Sequence, residues 1–397
     1  MKYVILIGDG MADEPLKELG GKTPLEAAKT PNLDFLAQNG YCAQARNVPP
    51  GVPPGSDVAI MSIFGYDPAT EYTGRGPLEA IAKDMRLLPT DLVYRCNLVT
   101  VEDGVMADFT AGHIKTEEAQ QFIKYIDKKL GSDRKRFVPG VSYRHLLIIK
   151  DGNDAVKTTP PHDITGQQIE KYLPQGRGAK IPNDLMKESA KLLIFYELNS
   201  KRREKGEKPV THIWLWGQGR KPNLKKLSDR FELEGAVITA VDLLKGLGRA
   251  AGLEVLEVPG VTGFLDTNYA GKVSYGLEAL EDKELLIVHV EAPDECGHMG
   301  DIEKKIKAIE DFDEKIVGAY LKGLAGQEFR MMVLPDHPTP IRLKTHSAEP
   351  VPFVLYDSTK KLASNAASYS EENMKKANPK IFIVKNLIPY LVKEEIL

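Results

Sequence analysis

Cysteine is scarce in this chain: three residues, Cys42, Cys96 and Cys296, lie far apart among 397. An odd, scattered set excludes a disulfide scaffold and points to a reducing compartment, so a cytoplasmic protein is expected. Neither sign of charge dominates, the formal net charge being −3. Nothing in that balance invites nucleic acid or an anionic membrane as a partner. Long hydrophobic runs are missing as well. The opening "MKYVILIGDG" holds five apolar residues in a row before Gly8, which suits a strand and is too short for a membrane span or a signal peptide. Internal repeats and low-complexity segments are absent. What is present is the composition of a globular protein, 42% hydrophobic and 27% charged. The length exceeds one ordinary core and predicts two domains.

"YVILI" (3–7) is a continuous β-branched run of the kind buried on both faces of a parallel sheet. "TPNLDFLAQNG" (30–40) reads as a helix with Thr30 as N-cap, Pro31 in the first helical position and Gly40 at the end. Further strands are expected at "HIWLW" (212–216), "AVITA" (236–240), "ELLIVHV" (284–290), "RMMVLP" (330–335) and "VPFVLY" (351–356). Helical patterns such as "IEKKIKAIEDFDEKIVGAYLKGL" (302–324) lie between several of them. This alternation predicts an α/β fold with a mostly parallel sheet flanked by helices. From about Leu88 to Lys208 the strands shorten and turns become denser, and "NSKRREKGEKP" (199–209) reads as a hinge or surface loop. The expected organisation is a core domain over residues 1–89 and 206–397 with a smaller α+β domain inserted over 90–205.

Two nucleotide-binding patterns fail on context. "GGKT" (20–23) resembles the end of a phosphate-binding loop, but the first glycine of that motif would fall at Leu16 and no strand runs into it. "GLGRAAG" (246–252) fits a loose dinucleotide pattern, yet "VDLLK" before it already reads as helix, and Gly252 is better explained as a helix stop.

With only eight histidines in the chain, their placement carries information. Three strand-like runs end in metal-ligating residue types: Asp9 after "YVILIG", Asp294 and His298 after "LLIVHV", Asp336 and His337 after "MMVLP". "IRLKTHSAEP" adds His346. In open α/β sheets ligands gather beyond the carboxyl ends of strands, where all of these would lie. Mixed carboxylate and imidazole donors suit Mn²⁺ or Zn²⁺ better than Ca²⁺ or Mg²⁺. Each residue alone has a plainer reading. Asp9 could cap a helix, His298 could be an exposed turn residue, "PDHPTP" could be a proline-framed loop, and His289 reads as a packed or hydrogen-bonded core residue. Three strand ends of the same kind favour a dinuclear centre. "VPPGVPPGSDVAIMSIFG" places Ser56 before a helical run. There it is either an N-cap or a nucleophile that a nearby metal would activate.

Taken in order, "GDGMAD", "GGKTPLEAAKTPNLD", "PPGSDVA", "GYDP", "GRGPLEA", "WLWGQG", "HVEAPDECGH" and "LPDHPTP" with "TH" resemble the alkaline phosphatase superfamily. Within it they are most similar to the cofactor-independent phosphoglycerate mutases of the archaeal type. The resemblance runs nearly end to end. It implies an alkaline-phosphatase-like core with an inserted domain, and interconversion of 3- and 2-phosphoglycerate through a phosphoserine at Ser56. One metal would be held by Asp294, His298 and His346, the other by Asp9, Ser56, Asp336 and His337. Both would be divalent, with Mn²⁺ first and Zn²⁺, Mg²⁺ or Co²⁺ as alternatives; neither a nucleotide nor 2,3-bisphosphoglycerate would be needed. Lys272 in "DTNYAGK" would contact a substrate phosphate. Arg95, Asp108 and Arg144 would serve the carboxylate and hydroxyls of a small phosphorylated hydroxy acid, Asp108 as the base, while domain opening and closing would admit substrate.

The chain departs from that pattern at "ADFTAGHI" (107–114), where the archaeal mutases carry arginines and this sequence has Phe109, Thr110 and His113. A histidine grips a carboxylate less firmly than a bidentate arginine. "DFTAGHI" is also similar to a bacterial branch proposed to phosphorylate homoserine in threonine biosynthesis. A phosphotransferase of that kind, and a simple metal-dependent phosphatase, therefore stand as alternatives to the mutase. Oligomeric state is not written in the sequence.

Overall fold

The computed structural model describes residues 1–362 and 366–393. Its strands are β1 (Lys2–Gly8), β2 (Tyr41–Arg46), β3 (Leu92–Glu102), β4 (Val105–Asp108), β5 (Lys135–Val141), β6 (Arg144–Ile149), β7 (His212–Gly219), β8 (Gly235–Ile238), β9 (Glu254–Val255), β10 (Leu285–Val290), β11 (Phe329–Leu334), β12 (Val351–Asp357) and β13 (Ile381–Ile383). They divide between two units, one made of Met1–Tyr72 and the chain from Asn223 onward, the other of Thr73–Pro222.

The first unit is built on an eight-stranded sheet in the order β13-β2-β12-β11-β1-β10-β8-β9. Val4, Ile5, Leu6 and Ile7 are fully buried, as a strand covered on both faces requires. β1 pairs in parallel with both β10 and β11, and Ile7 stands opposite His289 on one side and Leu334 on the other. That register ends three strands abreast, so the residues that follow them emerge at one edge of the sheet. β12 is antiparallel to both neighbours, giving the mixed, mostly parallel α/β sheet expected.

The helix Pro31–Asn39 forms as predicted, but Thr30 does not cap it. Its free N–H groups are met by Asp313, whose carboxylate accepts from Leu33 N at 2.7 Å and Asn32 N at 3.3 Å. Asp313 opens a π-helical stretch, Asp313–Gly318, inside the long helical run that begins at Ile302. Such an insertion re-aims a side chain locally, and here it turns a carboxylate onto a neighbouring helix end.

The second unit is an antiparallel sheet, β4-β3-β6-β5 with β7 paired to β3, packed with helices Thr116–Leu130 and Lys180–Leu193. "HIWLW" therefore lies in this sheet and not in the first. A strand buried on both faces reads the same in either. The helix Arg75–Ala82 belongs to this unit as well, so its bounds run beyond 90–205 at both ends. The stretch 199–209 is also not a loop throughout. Glu197–Glu204 is helical, with Asn199 and Arg202 buried. Arg202 donates to the carbonyls of Lys208 and Ala111 at 2.8 Å each and pairs with Glu118, which satisfies a charge that hydropathy alone assigns to solvent.

A buried lysine ties two loops of the first sheet together. Lys305 donates its three protons to Asp13 Oδ2 (2.7 Å), the Thr339 carbonyl (2.8 Å) and the Ala12 carbonyl (3.3 Å). Lys305→Met would strand the Asp13 carboxylate without its cation. A loss of about 3–5 kcal/mol in unfolding free energy is expected, to be read from the guanidinium midpoint against Lys304→Met, whose wild-type side chain pairs at the surface.

Candidate metal centre

The shared sheet edge collects the metal-ligating residues. Asp9 follows β1 directly. Helix Ala292–Met299 starts just past β10 and carries Asp294 and His298 four residues apart, on one face. Asp336 and His337 follow β11, and His346 comes from the loop beyond them. Ser56 is the first residue of helix Ser56–Ile63, preceded by an extended Gly55. Its hydroxyl makes no capping bond; it lies 3.2 Å from His337 Nε2. The N-cap reading therefore does not describe this serine.

Two groups of donor atoms result. His298 Nε2 is 3.1 Å from Asp294 Oδ2 and 3.0 Å from His346 Nε2, and His346 Nε2 is 3.6 Å from Asp294 Oδ1. His337 Nε2 stands between the groups, 3.3 Å from Asp336 Oδ2 and 3.6 Å from Asp9 Oδ1 as well as 3.2 Å from Ser56 Oγ; the ligating atoms that all lie within 4.8 Å of one another are those of Asp294, His337 and His346 and those of Asp9, His289 and Asp336. The His337 and His346 ring centroids are 4.1 Å apart, so the groups share a border. Donors bonded to one cation at about 2.0–2.2 Å stand about 2.8–3.6 Å from one another, which is the spacing found here.

The electrostatics also ask for cations. Asp9 Oδ1 and Asp336 Oδ2 are buried and accept no hydrogen bond, a costly state for carboxylate oxygens. Burial, with Asp336, Asp294 and Glu291 nearby, pushes the Asp9 carboxyl well above its ordinary range. Burial would raise Asp294 too, but the imidazoles of His298 and His346 outweigh it and hold that carboxyl well below the ordinary range. The bond to Asp294 in turn lifts His298 to about 9. The donor set, the orphaned oxygens and the concentrated negative charge all fit divalent cations.

Neighbouring residues hold this arrangement. Gly10, at φ 60°, donates its N–H to Asp336 Oδ1 at 3.1 Å, and a Cβ there would come within 2.6 Å of Asp294 Oδ1 and Thr339 Oγ1. Only glycine fits that approach. The Thr339 hydroxyl donates to Asp294 and lies 3.3 Å from His337 Nδ1. Asn47 Nδ2 clamps the carbonyls of Pro335 and Asp336 at 2.9 and 2.8 Å. His289 is buried and hydrogen-bonded as expected, its Nδ1 lying 3.2 Å from Thr239 Oγ1, and its Nε2, which has no hydrogen-bond partner, is 3.0 Å from Asp9 Oδ2. Burial depresses it to about 4, so it is neutral. Lys272 is buried behind it, donating to the His289 carbonyl at 2.9 Å, and burial brings it down to about 8.

In the second unit Arg95 and Asn97 lie two apart on β3, opposite Trp216 and Arg144 respectively, so all four share one face of the sheet. Arg95 is buried against Glu79 at 3.1 Å and lies 4.5 Å above the Trp216 ring; Arg75 lies 5.8 Å from the same ring. Phe109 packs edge-on to Tyr143 and His162, and His162 to Trp216. Arg75 and Trp216 were not foreseen, although "GRGPLEA" and "WLWGQG" contain them. Asp108 accepts from Thr110 Oγ1 at 2.6 Å and Lys208 Nζ at 2.9 Å. Burial opposes these bonds, which nevertheless bring it down to about 2. His113 is exposed, in a left-handed conformation at φ 51°; it is not among the aromatic and arginine contacts.

Comparison with known proteins shows the family. Residues 37–199 match the family model described as 2,3-bisphosphoglycerate-independent phosphoglycerate mutase. The chain is 50% identical over 396 residues to the 2,3-bisphosphoglycerate-independent phosphoglycerate mutase of Methanosarcina barkeri, covering 99% of this chain and 100% of that one. It is 48% identical to a probable enzyme of the same name from Geobacter sulfurreducens, over 95% and 96% of the two chains. Among solved structures, a Pyrococcus horikoshii protein superposes with a TM-score of 0.83 at 28% identity, covering 98% and 96%. The cofactor-independent phosphoglycerate mutase of Thermoplasma acidophilum does so with 0.69 at 25%, covering 99% and 100%. Among the described residues no helix is long and apolar enough to cross a membrane.

Proposed function

The chain belongs to the 2,3-bisphosphoglycerate-independent phosphoglycerate mutases, and on that premise we propose that it moves a phosphoryl group between the 3- and 2-hydroxyls of glycerate by way of Ser56. The observation that carries the proposal is Ser56 Oγ, uncommitted to any cap, beside His337 Nε2 at 3.2 Å in a buried cluster of aspartates and histidines.

Asp294, His298 and His346 would hold one divalent cation, and Asp9, Ser56, Asp336 and His337 the other, with Mn²⁺ the best match to mixed oxygen and nitrogen donors. When bound, such ions favour the serine alkoxide and neutralise charge on phosphoryl oxygens. Ser56 Oγ attacks phosphorus, the Oγ–P bond forms as the substrate's P–O bond breaks, and the proton given up by the Ser56 hydroxyl goes to the departing glycerate oxygen. The other glycerate hydroxyl then attacks phosphorus, the Oγ–P bond breaks, and that hydroxyl's proton returns to Ser56 Oγ. Backbone N–H groups at the start of helix Ser56–Ile63 add positive potential for the phosphate oxygens, and Lys272 adds charge close behind His289. Arg95 and Arg144 would grip the carboxylate. The Trp216 ring pre-orders Arg95 for that task, which offsets the missing arginine at His113. Asp108, ionised at neutral pH, would accept a hydrogen bond from a substrate hydroxyl; with a carboxyl near 2 it is a weak base.

The test is 3-phosphoglycerate and Mn²⁺ with the purified chain, without nucleotide or bisphosphoglycerate, followed through enolase. Sustained formation of 2-phosphoglycerate is expected. Release of inorganic phosphate alone would make the protein a phosphatase. No reaction in metal-loaded protein would point to another acceptor, and homoserine with ATP would then be tried.

A further inference from the structure

We propose that the first unit carries a second ligand site, adjoining the donor cluster but sharing no residue with it. Its ligand is a short aliphatic acid with an N–H or O–H donor beside the carboxylate, an α-amino or α-hydroxy acid.

The site is a cavity of about 510 Å³ lined from β2, β13, the segment between them and Ser56, and the helix that Ser56 begins. That is room for a small molecule. One wall is apolar. β13 is the edge strand of the eight-stranded sheet and runs parallel to β2, with Ile383 opposite Arg46. Strand alternation puts Ile381 and Ile383 on one face and the buried Phe382 on the other. Both isoleucines remain uncovered, 43% and 58% exposed, and Pro49 and Pro50 extend the apolar lining.

One charge in the cavity has no counterpart. Lys385 and Asp67 line it too, but they neutralise each other in an ion pair of 2.6 Å. Arg46 is half-buried and forms no ion pair among the described residues. A guanidinium so placed is matched by a carboxylate, which it can hold through two parallel bonds.

Two buried oxygens complete the lining. Asn47 commits its Nδ2 to the carbonyls of Pro335 and Asp336, which leaves Oδ1 to accept from elsewhere. Neither that oxygen nor Ser62 Oγ has a hydrogen-bond partner, an uncommon state for buried polar atoms. A donor next to the ligand's carboxylate answers it, since Arg46 and Asn47 are consecutive. An inorganic anion would use Arg46 alone and leave the isoleucines and Asn47 unmet. A hydrocarbon would leave Arg46 unmet.

Calorimetric titration of the purified full-length chain with L-leucine, with its α-hydroxy counterpart and with isocaproate, which lacks the donor, tests the assignment. Saturable binding of the amino or the hydroxy acid is expected, the tighter of the two identifying the donor, and isocaproate should bind about tenfold more weakly. Arg46→Ala should weaken binding by about 10- to 100-fold, the loss of charge-assisted hydrogen bonds. Ile383→Asp, at an exposed position, sets a like charge beside the carboxylate and should weaken it by about tenfold or more. Melting and Mn²⁺ uptake of both variants should stay at the wild-type values, which separates a lost site from a lost fold. A wild type that takes up neither acid would overturn the proposal. So would wild-type affinity in both variants, which would place the ligand elsewhere, the substrate site included. Isocaproate binding as tightly as the other two would overturn it as well.

Discussion

Ser56→Ala is expected to lower phosphoglycerate turnover by about four to six orders of magnitude, the range seen when a covalent nucleophile is deleted. The fold should hardly notice. Ser56 Oγ makes no capping bond, and alanine is well tolerated in the first turn of helix Ser56–Ile63. Its thermal midpoint should therefore stay close to the wild-type value. Metal should remain too, since Asp9, Asp336 and His337 still stand together without the hydroxyl. The measurement is kcat in the enolase-coupled assay beside metal content and melting of the same sample. Activity above about one per cent of wild type in metal-replete Ser56→Ala would remove the serine from the mechanism.

Stripping divalent metal should have an effect of similar size on activity and a second effect on stability. Asp9, Asp294 and Asp336 are buried together, and Asp9 Oδ1 and Asp336 Oδ2 have no hydrogen-bond donor. A cation is what makes that arrangement tolerable. Dialysis against a chelator should bring turnover to background, and Mn²⁺ should restore it. Binding to the folded state alone stabilises by about 2.7 kcal/mol at one hundred times the dissociation constant for each site, so the melting transition should rise with Mn²⁺ concentration. Asp336→Asn should blunt the rise. A melting curve and a turnover rate that ignore both chelator and Mn²⁺ would show that the cluster does not hold metal.

Much of this was legible because residues that act after a strand leave a local signature. Asp9, Asp294 and Asp336 each follow an apolar run, and parallel pairing of β10, β1 and β11 brings such positions to one edge whatever lies between. His289 was legible as a buried, hydrogen-bonded strand residue, but only the register that sets it beside β1 reveals Asp9 as its neighbour. Thr30 looked like a cap because capping is judged from adjacent residues, whereas the groups that meet that helix come from Asp313, some 280 positions away. β7 was given to the wrong sheet because a strand buried on both faces carries no label for its partner. Arg202 looked like part of a solvated charge run, since the carbonyls of Ala111 and Lys208 that satisfy it are invisible to composition.

The account turns on a phosphate carried by Ser56, and the most direct measurement is to find it there. Mn²⁺-loaded protein would be mixed with phosphoglycerate, quenched in acid within the first turnovers, digested and read by mass spectrometry. The account predicts phosphate on Ser56 in the peptide containing "PPGSDVA", appearing without any nucleotide and absent from protein lacking metal. Phosphoglycerate interconverted at full rate with Ser56 unmodified, or with the phosphate on another residue, would contradict it.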